Sequence, residues 1–224
     1  MIAIVLPTRN LVFTEVEMAI EKMRKDYDIQ VFRSINLGIP DSHNALTEQA
    51  LAASPTHIFY IEEDTVPPIR ALHDLLAAKA DVAFIDYAIN GWACAAKHPD
   101  GEILWCGLGC TLVKREVFER LQRPYFRTDK SLSLNEDTYF QWIDKLNKYG
   151  GQDIWFFSQI REAGFKIQQV TGECKHMKID ALGTAGVNNG RHVLSQKPTI
   201  AHFAIHEKPL TINKKMEHNG EYRE

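Results

Sequence analysis

No long hydrophobic run occurs in this sequence. The apolar stretch at residues 1–7 is too short for the core of a signal peptide and far too short to span a membrane. Its branched side chains are typical of a strand that is buried on both faces. We therefore expect a cytoplasmic protein without a membrane span.

Cysteine pairs with the spacing of a zinc site are also missing. The chain has four cysteines, and none of them forms a C-x-x-C motif. Nothing in the sequence indicates export to an oxidising compartment, where disulfides form. We expect free thiols at Cys94, Cys106, Cys110 and Cys174.

Neither sign of charge dominates the chain. Its 26 Lys and Arg stand against 29 Asp and Glu, and the net charge of −3 gives no general reason to expect nucleic acid as a partner. Residues 160–215 are locally basic, with nine Lys or Arg against four acids. This segment suits a phosphate-bearing ligand, and a solvated basic face explains it equally well.

Apolar runs alternate with helical patterns in the first half of the chain. Runs at residues 2–6, 29–32, 57–61 and 82–85 are typical of buried strands, and the apolar residues between them recur at helical spacing. This alternation predicts an α/β fold in which a mostly parallel sheet carries helices on both faces.

The second half is less regular and predicts strands of mixed direction. We expect a hairpin around residues 99–101 and a loop at 127–135. A helical pattern begins at Asp153 and ends at Gly164, a glycine suited to a left-handed cap. The turn-rich segment 183–190 has the composition of a mobile lid or of a plain surface loop.

The size and composition are those of one globular domain. The chain has 224 residues, of which 45% are hydrophobic and 25% are charged. We expect residues 1–178 to form this domain. Residues 179–224 are then a C-terminal extension, a lid and tail that pack on the same domain.

Three consecutive acids, Glu62, Glu63 and Asp64, follow a predicted strand. Ligands of open α/β sheets bind outside the carboxyl ends of the strands, and carboxylates at this point suit a hard divalent cation that offsets their repulsion. The alternative is an acidic turn in which Asp64 or Thr65 caps the next helix. The triplet alone leaves both interpretations open.

Short motifs accompany this triplet in a fixed order along the chain. Glu62-x-Asp64, followed by Val66-Pro67-Pro68, forms a D-x-D-like motif. The other motifs are Leu6-Pro7-Thr8-Arg9-Asn10, His43-Asn44-Ala45-Leu46, residues 107–118, residues 150–156, residues 163–167 and His176. In this order they resemble the motifs of glycosyltransferases with the GT-A fold, in particular family 2-like enzymes, over residues 2 to about 178.

The resemblance implies a single GT-A, Rossmann-like domain that transfers a hexose from a nucleoside diphosphate sugar to an acceptor hydroxyl, with inversion. UDP-glucose is the donor expected from its frequency in the family. The residues implied at the nucleotide sugar are Pro7, Thr8, Arg9, Asn10, His43, Asn44, Glu62, Glu63 and Asp64. The residues implied on the acceptor side are Trp105, Gly107, Gly109, Gln152 and Trp155.

The resemblance also implies a metal site and a catalytic base. Asp64 and His176, with Glu62, would bind the metal, and mixed carboxylate and imidazole ligands suit Mn²⁺ or Mg²⁺. Asp153 would accept the proton of the acceptor hydroxyl.

Some of these positions depart from the family pattern or have a second interpretation. Glu62 stands where Asp is usual, His43 where Arg is usual, and Gln152 where Glu is usual. Asp153 could instead be the N-cap of its helix. The alternative base is Glu136-Asp137, and the alternative metal ligands are His202 and His206.

Two other functions compete with the transferase. A sugar nucleotidyltransferase would carry a glycine-rich phosphate loop after the first strand, and residues 7–10 contain no glycine. A non-catalytic sugar or nucleotide binding module would use the same acids only for structure.

The acceptor is open among modified DNA, protein, glycan and small molecules. Some compact bacteriophage enzymes of the family modify DNA bases in the host cytoplasm, and the basic segment fits DNA phosphates. The acidic balance of the whole chain argues against DNA.

Overall fold

The computed structural model describes residues 1–9, 11–35, 37–89, 92–98, 100–133, 141–144, 151–179 and 185–187. Strands and helices alternate through the first part of the chain, as predicted. The elements in order are β1 (Ile2–Thr8), α1 (Thr14–Met23), β2 (Ile29–Ile35), α2 (Asp41–Ala52), β3 (His57–Ile61), β4 (Thr65–Val66), α3 (Ala71–Ala77) and β5 (Val82–Phe84).

Short strands and two helices make up the second part. They are β6 (Ala88–Ile89), β7 (Trp92–Ala93), β8 (Ala96–Lys97), β9 (Ile103–Trp105), β10 (Cys110–Lys114), α4 (Arg115–Phe118), β11 (Lys130–Ser133), β12 (Gln141–Asp144), α5 (Gln152–Glu162), β13 (Ile167–Gln169), β14 (Lys175–Ile179) and β15 (Ala185–Val187). Strands β8 and β9 pair antiparallel around the predicted hairpin. Gly164, which follows α5, has φ +74°, as its left-handed cap requires.

One expectation for this part was wrong. The predicted loop at 127–135 contains strand β11, which pairs antiparallel with β12. The segment looks polar in isolation, but its backbone groups are satisfied by a strand further along the chain. Local composition does not reveal a partner of that kind.

A six-stranded sheet in the order β13-β5-β10-β3-β1-β2 forms the centre of the fold. Strands β1, β2 and β3 are mutually parallel, and β13 is parallel to β5. Strand β10 lies between β3 and β5 and is antiparallel to both. The fold is therefore α/β with a mostly parallel mixed sheet, which confirms the predicted class.

Helices cover both faces of this sheet. Successive side chains of a strand point to opposite faces. Accordingly Ala3 and Val5 of β1 pack with residues of α2 and α5, whereas Ile4 and Leu6 pack with residues of α1 and α3. The central strand is thus buried on both sides, which explains its continuous apolar sequence.

The predicted thiols are free and buried in this core. Among the described residues, no helix is both long enough and apolar enough to cross a membrane. The predicted extension at 179–224 remains a prediction, because only residues 179 and 185–187 of it are described.

An aromatic cluster fills the core between the sheet, α4 and α5. The Phe156 ring of α5 lies 4.6 Å from that of Phe126, 5.8 Å from that of Phe118 and 6.1 Å from that of Tyr60, measured between centroids. All four side chains are buried. Phe156 therefore joins α5 to the sheet.

We expect Phe156→Ala to lower the free energy of unfolding by about 3–5 kcal/mol, because it removes a buried ring and leaves a cavity. Urea unfolding followed by circular dichroism measures this loss. Ile69→Ala is the control, since Ile69 is 79% exposed. A loss at Phe156 no larger than that at Ile69 would contradict the assigned packing.

Candidate functional site

The predicted acids, Glu62, Glu63 and Asp64, lie at the carboxyl edge of the central sheet. Strand β3 is parallel to β1, so the segments that follow the two strands meet at the same edge. The alternative that this triplet caps the next helix is wrong. Thr65 belongs to β4, and α3 begins later, with no side-chain cap.

Glu63 holds the segment that follows β1. Its two carboxylate oxygens accept hydrogen bonds of 2.6 Å from the backbone N–H and from Nε of Arg9. Its carbonyl oxygen accepts a bond from the Phe13 amide. Both were predicted to contact the nucleotide sugar, and in this structure Glu63 and Arg9 bind each other.

Asp64 and His176 come together from distant parts of the chain. Strand β14 pairs antiparallel with β4, where His176 lies opposite Thr65. The Met177 amide donates a hydrogen bond of 2.7 Å to the Asp64 carbonyl. The His176 Nε2 atom is 3.5 Å from Asp64 Oδ2, and the imidazole is buried. A carboxylate and an imidazole thus adjoin at the edge of the sheet.

Glu62 is directed to a residue that the sequence did not single out, Tyr87. The Tyr87 hydroxyl donates a hydrogen bond of 3.1 Å to Glu62 Oε2. Burial raises the pKa of Glu62 to about 8, and the carboxylates of Asp64 and, more weakly, Asp153 raise it as well. The Tyr87 hydrogen bond and the Arg9 charge oppose this rise. Glu62 is therefore mostly protonated at neutral pH.

Asp153 lies in the first turn of α5. The N-cap of this helix is Gly151, with φ +81°, so Asp153 is not the N-cap. Its carboxylate oxygen accepts a hydrogen bond from the Ile154 amide. Burial is the main cause of the raised pKa values of Glu62 and Tyr87, and the Asp153 charge raises both further. The Asp153 carboxylate is therefore close enough to act electrostatically on the Glu62 side of the site.

Two of the predicted metal ligands, Asp64 and His176, suit a divalent cation of the Mn²⁺ or Mg²⁺ type by their chemistry and proximity. Within the described ranges, no group of three or more His, Cys, Asp or Glu is arranged to hold a metal ion. Glu62, the third predicted ligand, accepts the Tyr87 hydrogen bond instead. The described part of the chain thus places two of the three predicted ligands next to each other.

The first turn of α2 is buried rather than open. His43 lies between Tyr60 and Phe126, with ring centroids at 6.4 and 5.2 Å. Burial lowers the pKa of His43 to about 4, so its imidazole is neutral and lacks the charge of the arginine usual in the family. Neither of its ring nitrogens has a hydrogen-bond partner among the described residues.

The Asn44 side chain binds the backbone of Phe126 through two hydrogen bonds. Its Nδ2 atom donates to the Phe126 carbonyl at 2.9 Å, and its Oδ1 atom accepts from the Phe126 amide at 3.0 Å. The side-chain amide thus holds the backbone of Phe126 against α2.

The remaining donor-side residues belong to the end of β1. Pro7 and Thr8 are its last residues, and the Thr8 hydroxyl donates to the Leu11 carbonyl. Asn10 lies outside the described residues, as do the predicted alternatives Glu136-Asp137, His202 and His206.

The glycines predicted on the acceptor side make room for other residues. A Cβ atom on Gly107 would lie 2.3 Å from the Tyr87 hydroxyl oxygen. A Cβ atom on Gly109 would lie 2.7 Å from Thr65 Oγ1. Both contacts are far too short, so glycine at these positions allows Tyr87 and Thr65 to pack.

Of the other residues predicted on the acceptor side, Trp105 and Gln152 are buried and Trp155 is partly exposed. The Arg127 guanidinium lies 4.8 Å from the centroid of the Trp155 ring, which is a cation–π contact. Arg127 also binds Asp129. Trp155 and Arg127 therefore form the partly exposed aromatic and cationic surface on this side.

Sequence reasoning missed Tyr87 and Arg127. Neither belongs to one of the motifs described above. Tyr87 follows β5 and Arg127 precedes β11. Gly107 and Gly109 were predicted only as acceptor-side residues, and the fold shows that Tyr87 and Thr65 fill the space beside them.

Comparison with known proteins gives a similarity in fold alone. No protein-family model matches the chain, and no curated protein is similar to it in sequence. The crystal structure of A197 from STIV is similar in fold, with a TM-score of 0.55 and 16% identity over 88% of this chain and 98% of that chain.

Two further structures overlap more loosely. A mutant Drosophila β-1,4-galactosyltransferase 7, in complex with manganese, UDP-Gal and xylobiose, has a TM-score of 0.46 and 17% identity over 100% of this chain and 81% of its own. TarS from S. aureus has a TM-score of 0.43 and 12% identity over 75% of this chain and 57% of its own. Similarity this loose carries no argument about function.

We expect the titration of Glu62 to lower the free energy of unfolding as pH rises. Its pKa is about 8 in the folded protein against an ordinary value of 4.5. The folded state therefore favours the protonated form of Glu62. The stability that this preference contributes is fully present below about pH 4.5 and is lost as pH rises through 8. Glu62→Gln removes the titration and should flatten this part of the profile.

Urea unfolding in EDTA between about pH 5 and about pH 8.5 measures the difference between Glu62→Gln and wild type. His43 titrates in both proteins, so its effect cancels. Glu119→Gln, at the exposed C-cap of α4, is the control. Parallel profiles for wild type and Glu62→Gln would contradict the raised pKa.

Proposed function

We propose that this protein is a metal-dependent glycosyltransferase that moves a hexose from a nucleoside diphosphate sugar to an acceptor hydroxyl. The observation that carries the proposal is the approach of His176 Nε2 to 3.5 Å from Asp64 Oδ2 at the carboxyl edge of the sheet. Both residues stand in motifs that occur in the order of GT-A glycosyltransferases. UDP-glucose is the first donor to test.

Asp64 and His176 would hold the divalent ion, Mn²⁺ or Mg²⁺, with its other positions open to donor oxygens. When bound, such an ion neutralises negative charge on the departing diphosphate. His43 cannot take the place of the ion as a positive charge, because its buried imidazole is neutral. In this proposal, an ion held by Asp64 and His176 supplies the positive charge that a neutral His43 cannot supply.

Asp153 is the proposed base. As the acceptor oxygen forms its bond to the anomeric carbon, the bond from that carbon to the diphosphate oxygen breaks, and the acceptor proton passes to the Asp153 carboxylate. A single displacement of this kind inverts the anomeric centre. Glu62 is the less suitable base because its pKa is about 8 and it is already largely protonated.

The acceptor would meet the side of the site formed by Trp155 and Arg127. An aromatic ring next to a guanidinium suits a sugar ring or a nucleobase. Modified DNA, protein, glycan and small molecules all remain acceptor classes to test. Binding to duplex DNA that weakens steeply with salt would select DNA.

The two competing functions differ from this one in their products. The protein is incubated with Mn²⁺ and a panel of nucleotide sugars, and the products are separated by mass. A transferase releases nucleoside diphosphate. A sugar nucleotidyltransferase, when pyrophosphate is also supplied, converts the donor and pyrophosphate to nucleoside triphosphate and sugar 1-phosphate. A binding module gives neither product. Absence of nucleoside diphosphate from every donor would overturn the proposal.

We expect Asp64→Asn to weaken Mn²⁺ binding by about 100-fold or more and to abolish metal-dependent release of nucleoside diphosphate, because a charged ligand is lost. Calorimetry measures the first effect and a coupled assay the second. Asp74→Asn is the matched control, since Asp74 pairs with Arg70 on the surface of α3. Full activity in Asp64→Asn would remove the metal assignment.

We expect Asp153→Asn to lower kcat by about 10²–10⁴-fold while the donor KM and the Mn²⁺ affinity change little, because the amide cannot accept the proton. Glu162→Gln, at the exposed end of the same helix, is the control. Unchanged kcat in Asp153→Asn would show that another group is the base.

A further inference from the structure

Tyr87 is held rigidly by its own backbone. It follows β5, and its amide donates a hydrogen bond of 2.9 Å to the Asp86 carboxylate. Its carbonyl oxygen accepts a bond of 2.9 Å from the Cys94 amide, and a parallel bridge joins it to Cys174 just before β14. The side chain is 4% exposed. Its position is therefore set before any ligand binds.

The Tyr87 hydroxyl forms hydrogen bonds with Gly109 and Glu62. The Gly109 amide lies 3.4 Å from the hydroxyl oxygen and donates to it. The hydroxyl in turn donates to Glu62 Oε2 at 3.1 Å. The bond to Glu62 Oε2 limits rotation of that carboxyl, and the Cys94 thiol is a further hydrogen-bond partner of the hydroxyl.

The Tyr87 ring contacts the other side of the site. It stacks on the His176 imidazole, with centroids 5.9 Å apart and planes inclined by 23°. Gly107 leaves the space that the hydroxyl occupies, since a Cβ atom there would lie 2.3 Å away. Tyr87 thus contacts both Glu62 and His176, and the His176 imidazole lies beside Asp64.

We infer that Tyr87 is a positioning residue, which orients the Glu62 carboxyl and the His176 imidazole around the site where Asp64 and His176 hold the divalent ion. The inference rests on the proposed function. Tyr87 would act through two other side chains and is not proposed as a ligand of the ion. Its hydroxyl acts on Glu62 and its ring acts on His176.

The two actions can be separated, because Tyr87→Phe removes the hydroxyl and keeps the ring. We expect Tyr87→Phe to weaken Mn²⁺ binding about 10-fold by calorimetry, as expected when a residue that orients a metal site is lost. We expect kcat to fall by a similar factor with little change in the KM for the donor. Tyr87→Leu, which also removes the stacked ring, should weaken binding further.

A double-mutant cycle distinguishes positioning from a general loss of stability. If the hydroxyl acts through Glu62, Tyr87→Phe should have little further effect on Mn²⁺ affinity in a Glu62→Gln background. Tyr60→Phe is the matched control, because its buried hydroxyl bonds to Thr47 at 2.8 Å on the opposite face of the sheet. It should cost stability without changing Mn²⁺ affinity.

The outcomes separate this inference from the proposed function. Wild-type protein that binds no Mn²⁺ and releases no nucleoside diphosphate would overturn both. If wild type binds Mn²⁺ and releases nucleoside diphosphate, two results would overturn the role of Tyr87 and leave the proposed function standing. One is an unchanged Mn²⁺ affinity in Tyr87→Phe. The other is that the effects of Tyr87→Phe and Glu62→Gln on Mn²⁺ affinity are additive.

Discussion

The pairing of β14 with β4 is the constraint on which the site depends. The hydrogen bond from the Met177 amide to the Asp64 carbonyl fixes the register, and a strand shifted by one residue would turn His176 to the opposite face. The imidazole reaches Asp64 only in this register. A backbone interaction between two very short strands thus determines whether two distant side chains can act together.

Three adjacent acids remain compatible with a stable fold because each has a different environment. Glu63 is neutralised by Arg9, Glu62 is kept largely protonated by burial, and Asp64 lies beside an imidazole. This division reduces the repulsion that three equal charges would create. It also leaves Asp64 as the member of the triplet that adjoins the His176 imidazole.

The sequence indicated the α/β class, the strands of the first half and the acidic edge, because these depend on local periodicity and on the general behaviour of strand ends. It could not indicate β11, whose partner lies further along the chain, or the pairing that brings His176 to Asp64. Tyr87 was beyond reach for the same reason. Its importance comes from contacts with Glu62, Gly109 and His176, none of which is near it in sequence.

The direction of β10 has a further consequence for how this fold can vary. An antiparallel strand starts at the edge where its parallel neighbours end, so the chain between β5 and β10 leaves from the site and returns to it. The segment 85–109 therefore begins and ends at this edge of the sheet. Insertions or deletions within it would change the surface at this edge while every strand of the central sheet keeps its alignment.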